Sequence, residues 1–374
     1  MSGAIYIVEN DTKRLIKMQQ TEYVREEDFQ QLLQDFPDLL AGEQMDSAKP
    51  RKWILVKREA GIPSEMEGTN RWSLDHLFLD QDAIPTLVEV KRKNDTRLRR
   101  EVVGQMLDYA ANATKYWSGD EMHRQFIGTC LETNCAPDSK LSELLGEDAD
   151  FESFWEKAYS NLLEGRVRLV FVADIIPQEL QRIVEFLNER MQPTEVLAVE
   201  IRQYTGEGYS THIPRLIGQT AAAQLRKNPR AQTSERPRGE WDKDKFLAEA
   251  RERGLTEDQI QAMSKIFVFV EQHPQIEVEY GKGASYASLL PKLPQISKKS
   301  PFVVWAYGFL EIKLPWLNDN PKALEFRQAF KSELERVGIE TSEDKISSYS
   351  VEVWSTWVDQ LISATRNAMC VVQA

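Results

Sequence analysis

Asp75, Glu89 and Lys91 are the residues of this chain whose types and spacing could do chemistry. Glu89 and Lys91 stand two apart in the apolar run Thr86-Leu-Val-Glu-Val-Lys91, which reads as a strand. Strand side chains alternate, so Glu89 and Lys91 share one face while Val88 and Val90 take the other. Asp75 closes a second apolar stretch, Trp72-Ser-Leu-Asp75, with thirteen residues between it and Glu89. Two carboxylates and an ammonium at sheet ends suit attack on a phosphodiester. The carboxylates hold a hard divalent cation through oxygen, and the cation and the lysine act on the phosphate and its attacking water.

An acid-x-Lys triplet alone carries no signal, because five occur: Asp11/Lys13, Glu89/Lys91, Asp138/Lys140, Glu311/Lys313 and Glu343/Lys345. Among them, only Glu89/Lys91 combines an apolar strand, an acid on an upstream strand and a following basic segment. Residues 91 to 100 hold six Lys or Arg against one Asp. Arg92, Lys93, Arg97, Arg99 and Arg100 therefore stand beside the carboxylates, where a phosphate backbone would lie. A helix from about Glu101 follows. Glu101, Gln105 and Tyr109 form one stripe on it, and Val102, Val103, Met106, Leu107 and Ala110 form the buried side.

Asp75 followed by Glu89-Val90-Lys91 resembles the signature of the PD-(D/E)XK nucleases, and Gln105-Met-Leu-Asp-Tyr109 resembles the Gln-x-x-x-Tyr helix of their recombination-exonuclease branch. The run from Arg71 to Trp117 is similar to a segment of bacterial members. The likeness covers roughly the first 220 residues and is strongest over these 45 or so. Leu74 stands where the family name has proline, a position that varies in the family. The resemblance implies Mg2+ or Mn2+ on Asp75, Glu89 and the Val90 carbonyl. It further implies that Lys91 positions or activates the water, and that Gln105 and Tyr109 orient the substrate. Relatives also place a glutamate near the start of the first helix, which fits Glu26, or else Glu27. The four-cysteine iron–sulfur cluster of some exonuclease-branch relatives cannot be built from Cys130, Cys135 and Cys370.

The elements that must position these residues follow from the pattern. Ala4 to Val8 reads as a short strand. Residues 24 to 40 read as an amphipathic helix with Phe29, Leu32, Leu33 and Phe36 on one side, ending near Pro37. Trp53 to Lys57 is a strand that Arg58 to Pro63 leaves. Asp80 to Ala83 separates the two central strands at hairpin distance, so these run antiparallel. His76, next to Asp75, points to the opposite face as a packing histidine. Residues 118 to 165 are acidic and mostly helical or irregular. Arg166 to Ala173, a helix opened by Pro177, and Glu195 to Tyr204 make a parallel βαβ unit.

With 374 residues the prior is two domains, and 41% hydrophobic with 28% charged residues is an ordinary globular composition. No apolar run reaches membrane length, and the N-terminus lacks a signal-peptide pattern. An odd count of three cysteines points to a reducing cytoplasm. A net charge of -12 argues against a generally basic nucleic-acid binder, so the local basic segment matters more than the sum. Residues 219 to 240, with prolines and five basic side chains from 224 on, read as a basic linker. Beyond it, a helix from Asp242 to Arg253 stops at Gly254, and Thr256-Glu-Asp-Gln259 is a capping box. Strands at 276 to 280 and 302 to 310, a hairpin turn at Gly281 to Ser285, and helices near 321 to 337 and 350 to 368 complete an α+β module. Its role could be targeting, sensing, or assembly as a homodimer or with a partner protein.

The expected fold is α/β: a restriction-endonuclease-like mixed sheet flanked by helices over 1–218, then a smaller α+β domain over 241–374. The expected function is a bacterial, cytoplasmic Mg2+-dependent nuclease of defence, restriction or repair, acting on DNA ahead of RNA and on no membrane. Two other readings stay open: a binding or sensing module on an inactive nuclease fold, and an RNA-directed nuclease.

Overall fold

The computed structural model describes residues 5–9, 11, 13–63, 70–93, 101–117, 119–147, 149–220, 241–281 and 287–373. Arg97, Arg99 and Arg100, nearly all of the linker, and the turn after Gly281 lie outside these residues. The chain divides into two compact units, Met1–Ser234 and Glu235–Ala374.

The first unit is built on strand β5, Pro85–Lys91, which is buried at every position. Strand β4, Asn70–Asp80, lies antiparallel beside it, and β3, Trp53–Pro63, pairs with the outer edge of β4. On the other side, β6 (Arg168–Ala173) and β7 (Glu195–Gly206) run parallel to β5, with helix α7 (Gln178–Arg190) as the crossover. The sheet is therefore mixed. Strand β8, Tyr209–Ile217, folds back along β7. A ribbon of β1 (Ile5–Glu9) and β2 (Arg14–Thr21) joins the far end of β7, at Gln203 to Thr205.

One sheet face presents Val88, Val90, Val170, Val172, Leu197 and Val199 to helix α1 (Glu26–Asp35), which inserts Phe29 and Leu33. A four-residue helix α2 (Gly42–Met45) follows a 3-10 turn at Pro37–Leu40. Helices α3 (Glu101–Tyr116), α4 (Gly119–Glu132), α5 (Pro137–Leu145) and α6 (Phe151–Leu163) complete the packing around β3 and β5. Arg168 is buried where β4, β6 and β7 meet. It bonds Asp80 at 3.1 Å and Glu195 at 2.6 Å and lies over the Trp53 ring. A buried guanidinium is tolerated because two carboxylates answer it.

In the second unit, α8 (Lys243–Glu252) ends before Gly254, whose φ of +85° suits glycine. Helix α9 (Glu257–Glu271) starts at Thr256 with the reciprocal Thr256–Gln259 bonds that its sequence predicts. A five-stranded antiparallel sheet follows: β9 (Glu277–Tyr280), β10 (Ser288–Lys292), β11 (Phe302–Trp305), β12 (Phe309–Ile312) and β13 (Ser347–Ser350). Helix α10 (Pro321–Arg336), the short α11 (Val351–Trp354) and α12 (Val358–Gln373) close a core rich in phenylalanine. Among the described residues, no helix is long and apolar enough to cross a membrane.

Four expectations are corrected. Arg58 to Pro63 does not leave β3 but continues it, because Ala60 and Ile62 keep the buried alternation past a bulge at Leu55–Lys57. Residues 302 to 310 are two strands, since Gly308 (φ +104°) turns the chain. The first helix stops at Asp35, and Pro37 opens a separate turn rather than ending a longer helix. On α3, Tyr109 and Ala113 join Val102 and Met106 in the core, while Val103, Leu107 and Ala110 are only half-buried.

Candidate active site

The sheet forks at Asp75. Pairing between β4 and β5 ends at His76 opposite Val88, yet β4 stays paired with β3 back to Asn70, and β5 stays paired with β6 out to Lys91. Freed from its neighbour there, the Asp75 carboxylate fills the gap. Its Oδ2 accepts the Val90 backbone N–H at 2.7 Å, and its Oδ1 accepts the Gln30 side-chain amide at 2.8 Å.

Everything else at the fork turns on the Lys91 ammonium. It lies 3.0 Å from Glu89 Oε1, 3.0 Å from Glu26 Oε1 and 3.7 Å from Asp75 Oδ2, and it donates to the Val90 carbonyl at 2.8 Å. Glu26 enters from the first turn of α1, while Glu27 is exposed. Three carboxylates thus answer one ammonium. Glu89 is 2% exposed, and its Oε2 is buried with no hydrogen-bond partner. A buried charged oxygen without a partner is costly, and either a cation or a proton would relieve it.

The electrostatics agree. Burial, then the neighbouring Asp75 charge, pushes Glu89 up to about 7. Burial also raises Asp75 to about 6, against the pull of Lys91 and the Val90 N–H. For Lys91, burial works against the charge, but Asp75, Glu89 and Glu26 outweigh it and hold the ammonium above its ordinary range. Excess negative charge at oxygen donors fits a hard divalent cation and does not fit a soft one. Among the described residues, no three His, Cys, Asp or Glu side chains stand as a ready-made ligand set. The donor set available is Asp75, Glu89 and the Val90 carbonyl, all turned on the ammonium.

Tyr109 is buried beside this cluster. Its hydroxyl donates to the Ser73 carbonyl at 3.0 Å, and Gln105 donates to the same hydroxyl. Burial raises the phenol, with the Glu89 and Asp75 charges adding to it. The pair therefore braces the β4 backbone two residues before Asp75. His76 is fully buried, with Nε2 3.0 Å from the Gln30 carbonyl, and burial followed by the Arg58 charge lowers it to about 4. Arg92 is half-buried. The Lys93 backbone N–H binds Asp174 at 2.7 Å, and its ammonium pairs with Glu22. His123 packs its ring on Trp155, and burial pushes the Cys130 thiol up to about 12.

No protein-family model, curated protein or solved structure matches this chain.

Gln30 is the residue that sequence reasoning missed. It lies one helical turn beyond Glu26, so the two reach the fork from one stripe of α1. Its carbonyl oxygen accepts from Arg58 at 3.3 Å, which fixes the amide with its N–H2 towards Asp75. Loss of such an orienting bond typically lowers metal affinity about 10- to 100-fold. Gln30→Ala is expected to weaken Mn2+ binding by that factor in a titration of folded protein. Gln31→Ala, whose side chain meets Arg58 and Asp35 instead, should bind as the parent does.

Proposed function

We propose that the first unit is a Mg2+- or Mn2+-dependent phosphodiesterase acting on nucleic acid, DNA ahead of RNA. The observation that carries this reading is the partnerless Glu89 Oε2, in a site where three carboxylates share one ammonium at a fork in the sheet. The mixed sheet, with its acids at the strand ends, accords with the PD-(D/E)XK resemblance of Asp75 and Glu89-Val-Lys91.

Asp75, Glu89 and the Val90 carbonyl would hold the cation. When bound, it supplies Lewis-acid activation of the phosphate and lowers the pKa of a bound water. Lys91, released from its carboxylates, holds the attacking water and offsets the charge that develops on the phosphate. Glu26 keeps that ammonium from swinging away. Gln105 and Tyr109 fix the backbone that carries Asp75. Arg92, Lys93, Arg97, Arg99 and Arg100 follow Lys91 in the sequence and would offer positive charge to a phosphate backbone, holding the strand without reading its sequence.

The test is incubation of the full chain with single- and double-stranded DNA and RNA, under Mg2+, Mn2+ or EDTA. Expected is metal-dependent cleavage, faster on DNA, that EDTA abolishes. Mn2+ binding without cleavage of any substrate would favour a binding or sensing module. Faster cleavage of RNA would make the enzyme a ribonuclease. Absence of both metal binding and cleavage would sink the reading.

A further inference from the structure

The row of residues level with Lys91 crosses the sheet as Lys91, Ala173, Glu200 and Arg215, each paired in register with the next. Val90, Val172, Val199 and Ile201 occupy the opposite face under α1, so Glu200 and Arg202 face the same side as Lys91 and Glu89. Glu200 is buried, and both of its oxygens are engaged. Oε2 accepts the Ile176 N–H at 3.0 Å, while Oε1 holds Arg202 Nε at 2.9 Å and lies 3.6 Å from Arg215 Nε. One guanidinium neutralises one carboxylate, so the second is surplus. Both arginines meet Glu200 through Nε, Arg202 also bonds Tyr204, and their side chains stay partly exposed (39% and 57%). A guanidinium fork held by a buried anion is a pre-oriented oxyanion binder. At one strand spacing per step, it sits roughly 10 to 14 Å from Lys91 along the sheet edge. Open α/β sheets take ligands at these carboxyl ends of their parallel strands.

We propose that Arg202 and Arg215 form a second subsite, binding a phosphate of the same nucleic-acid strand whose scissile phosphate lies at Lys91. The proposal rests on the phosphodiesterase reading above and adds the path of the strand: from the fork, over the turn after β6, to the β7–β8 hairpin. The carboxylate facing it there is Glu200, whose Oε2 is already held by the Ile176 N–H.

The experiment measures binding of a fluorescein-labelled DNA oligonucleotide by anisotropy, with Ca2+ replacing Mg2+, across a salt series. The parent is compared with Arg202→Gln/Arg215→Gln and with Arg182→Gln, an exposed arginine of α7. The double variant should bind about tenfold or more weaker, with a log–log salt slope shallower by about 1.4 to 1.8, because two phosphate contacts are gone. Arg182→Gln should match the parent. Should the double variant fail to fold, Arg215→Gln alone keeps Arg202 on Glu200 and should lose about half that slope. Parental affinity and slope in the variants would overturn the subsite while leaving the phosphodiesterase reading intact. Absence of binding by the parent would overturn both. If the variants lose only a melting-temperature rise given by inorganic phosphate, the pair belongs to a free anion, and the strand path falls.

Discussion

Without metal at about pH 8, Glu89→Gln should melt at a higher temperature than the parent protein, and near pH 5 the two should melt together. The sign follows from the direction of the shift. Burial raises Glu89 from 4.5 to about 7, so the folded state favours the protonated acid. The stability tied to that proton is fully present below pH 4.5 and is lost as pH rises through 7. By pH 8 the parent carries a buried carboxylate whose Oε2 has no partner, beside Asp75, which burial has also raised. Glutamine cannot ionise and keeps the shape of the protonated acid. The gain at the higher pH should be on the order of 2 kcal/mol.

On the proposed metal site, added Mn2+ should reverse the ranking. The parent gains about 2.7 kcal/mol at a hundredfold excess over the dissociation constant, and the variant gains almost nothing, since an amide is a poor hard-cation ligand. Melting curves at the two pH values, with and without Mn2+, check both halves. A variant less stable than the parent at the higher pH would make the Glu89–Lys91 contact a structural ion pair and remove the main support for a metal site.

The core of this arrangement was legible because strand alternation is strict. Glu89 and Lys91 had to share a face, and four-residue spacing put Gln105 above Tyr109. The parallel β6–α7–β7 unit was equally readable, its strands being apolar runs separated by one amphipathic helix. Strands β2 and β8 left no such trace. Arg-Leu-Ile-Lys-Met-Gln-Gln-Thr and Tyr-Ser-Thr-His-Ile-Pro-Arg-Leu-Ile are half polar, because each exposes much of its surface and is held by pairing with neighbours. Gln30 was invisible for another reason. A glutamine on an amphipathic helix reads as solvent-facing, and only tertiary structure brings it to an aspartate 45 residues away. Arg202 and Arg215 are likewise joined by register across a hairpin, through a glutamate that looks like any other acid in the sequence.

Lys91→Ala should separate binding from chemistry. In the metal-free site the ammonium is the internal counter-ion, 3.0 Å from Glu26, 3.0 Å from Glu89 and bonded to the Val90 carbonyl. Deleting it leaves Asp75, Glu89 and Val90 in place and removes a cation that competes for them. It also raises the proton affinity of the two carboxylates, and because Glu89 already stands at about 7 with the lysine pulling it down, this opposing effect reaches pH 8. At about pH 8 the variant should therefore bind Mn2+ within about tenfold of the parent, the two effects opposing each other. Cleavage should fare differently. Without the ammonium, nothing offsets the charge gathering on the phosphate or holds the attacking water. Losing one such interaction costs on the order of 10² to 10³ in rate, about 3–4 kcal/mol. Mn2+ titration and single-turnover cleavage at saturating enzyme, on variant protein shown to be folded, read the two effects separately. Parental cleavage by Lys91→Ala would strip the lysine of a catalytic role. That result would return Glu89-Val-Lys91 to the rank of the other four acid-x-Lys triplets, whereas metal binding and cleavage lost together would mean that the lysine organises the carboxylates.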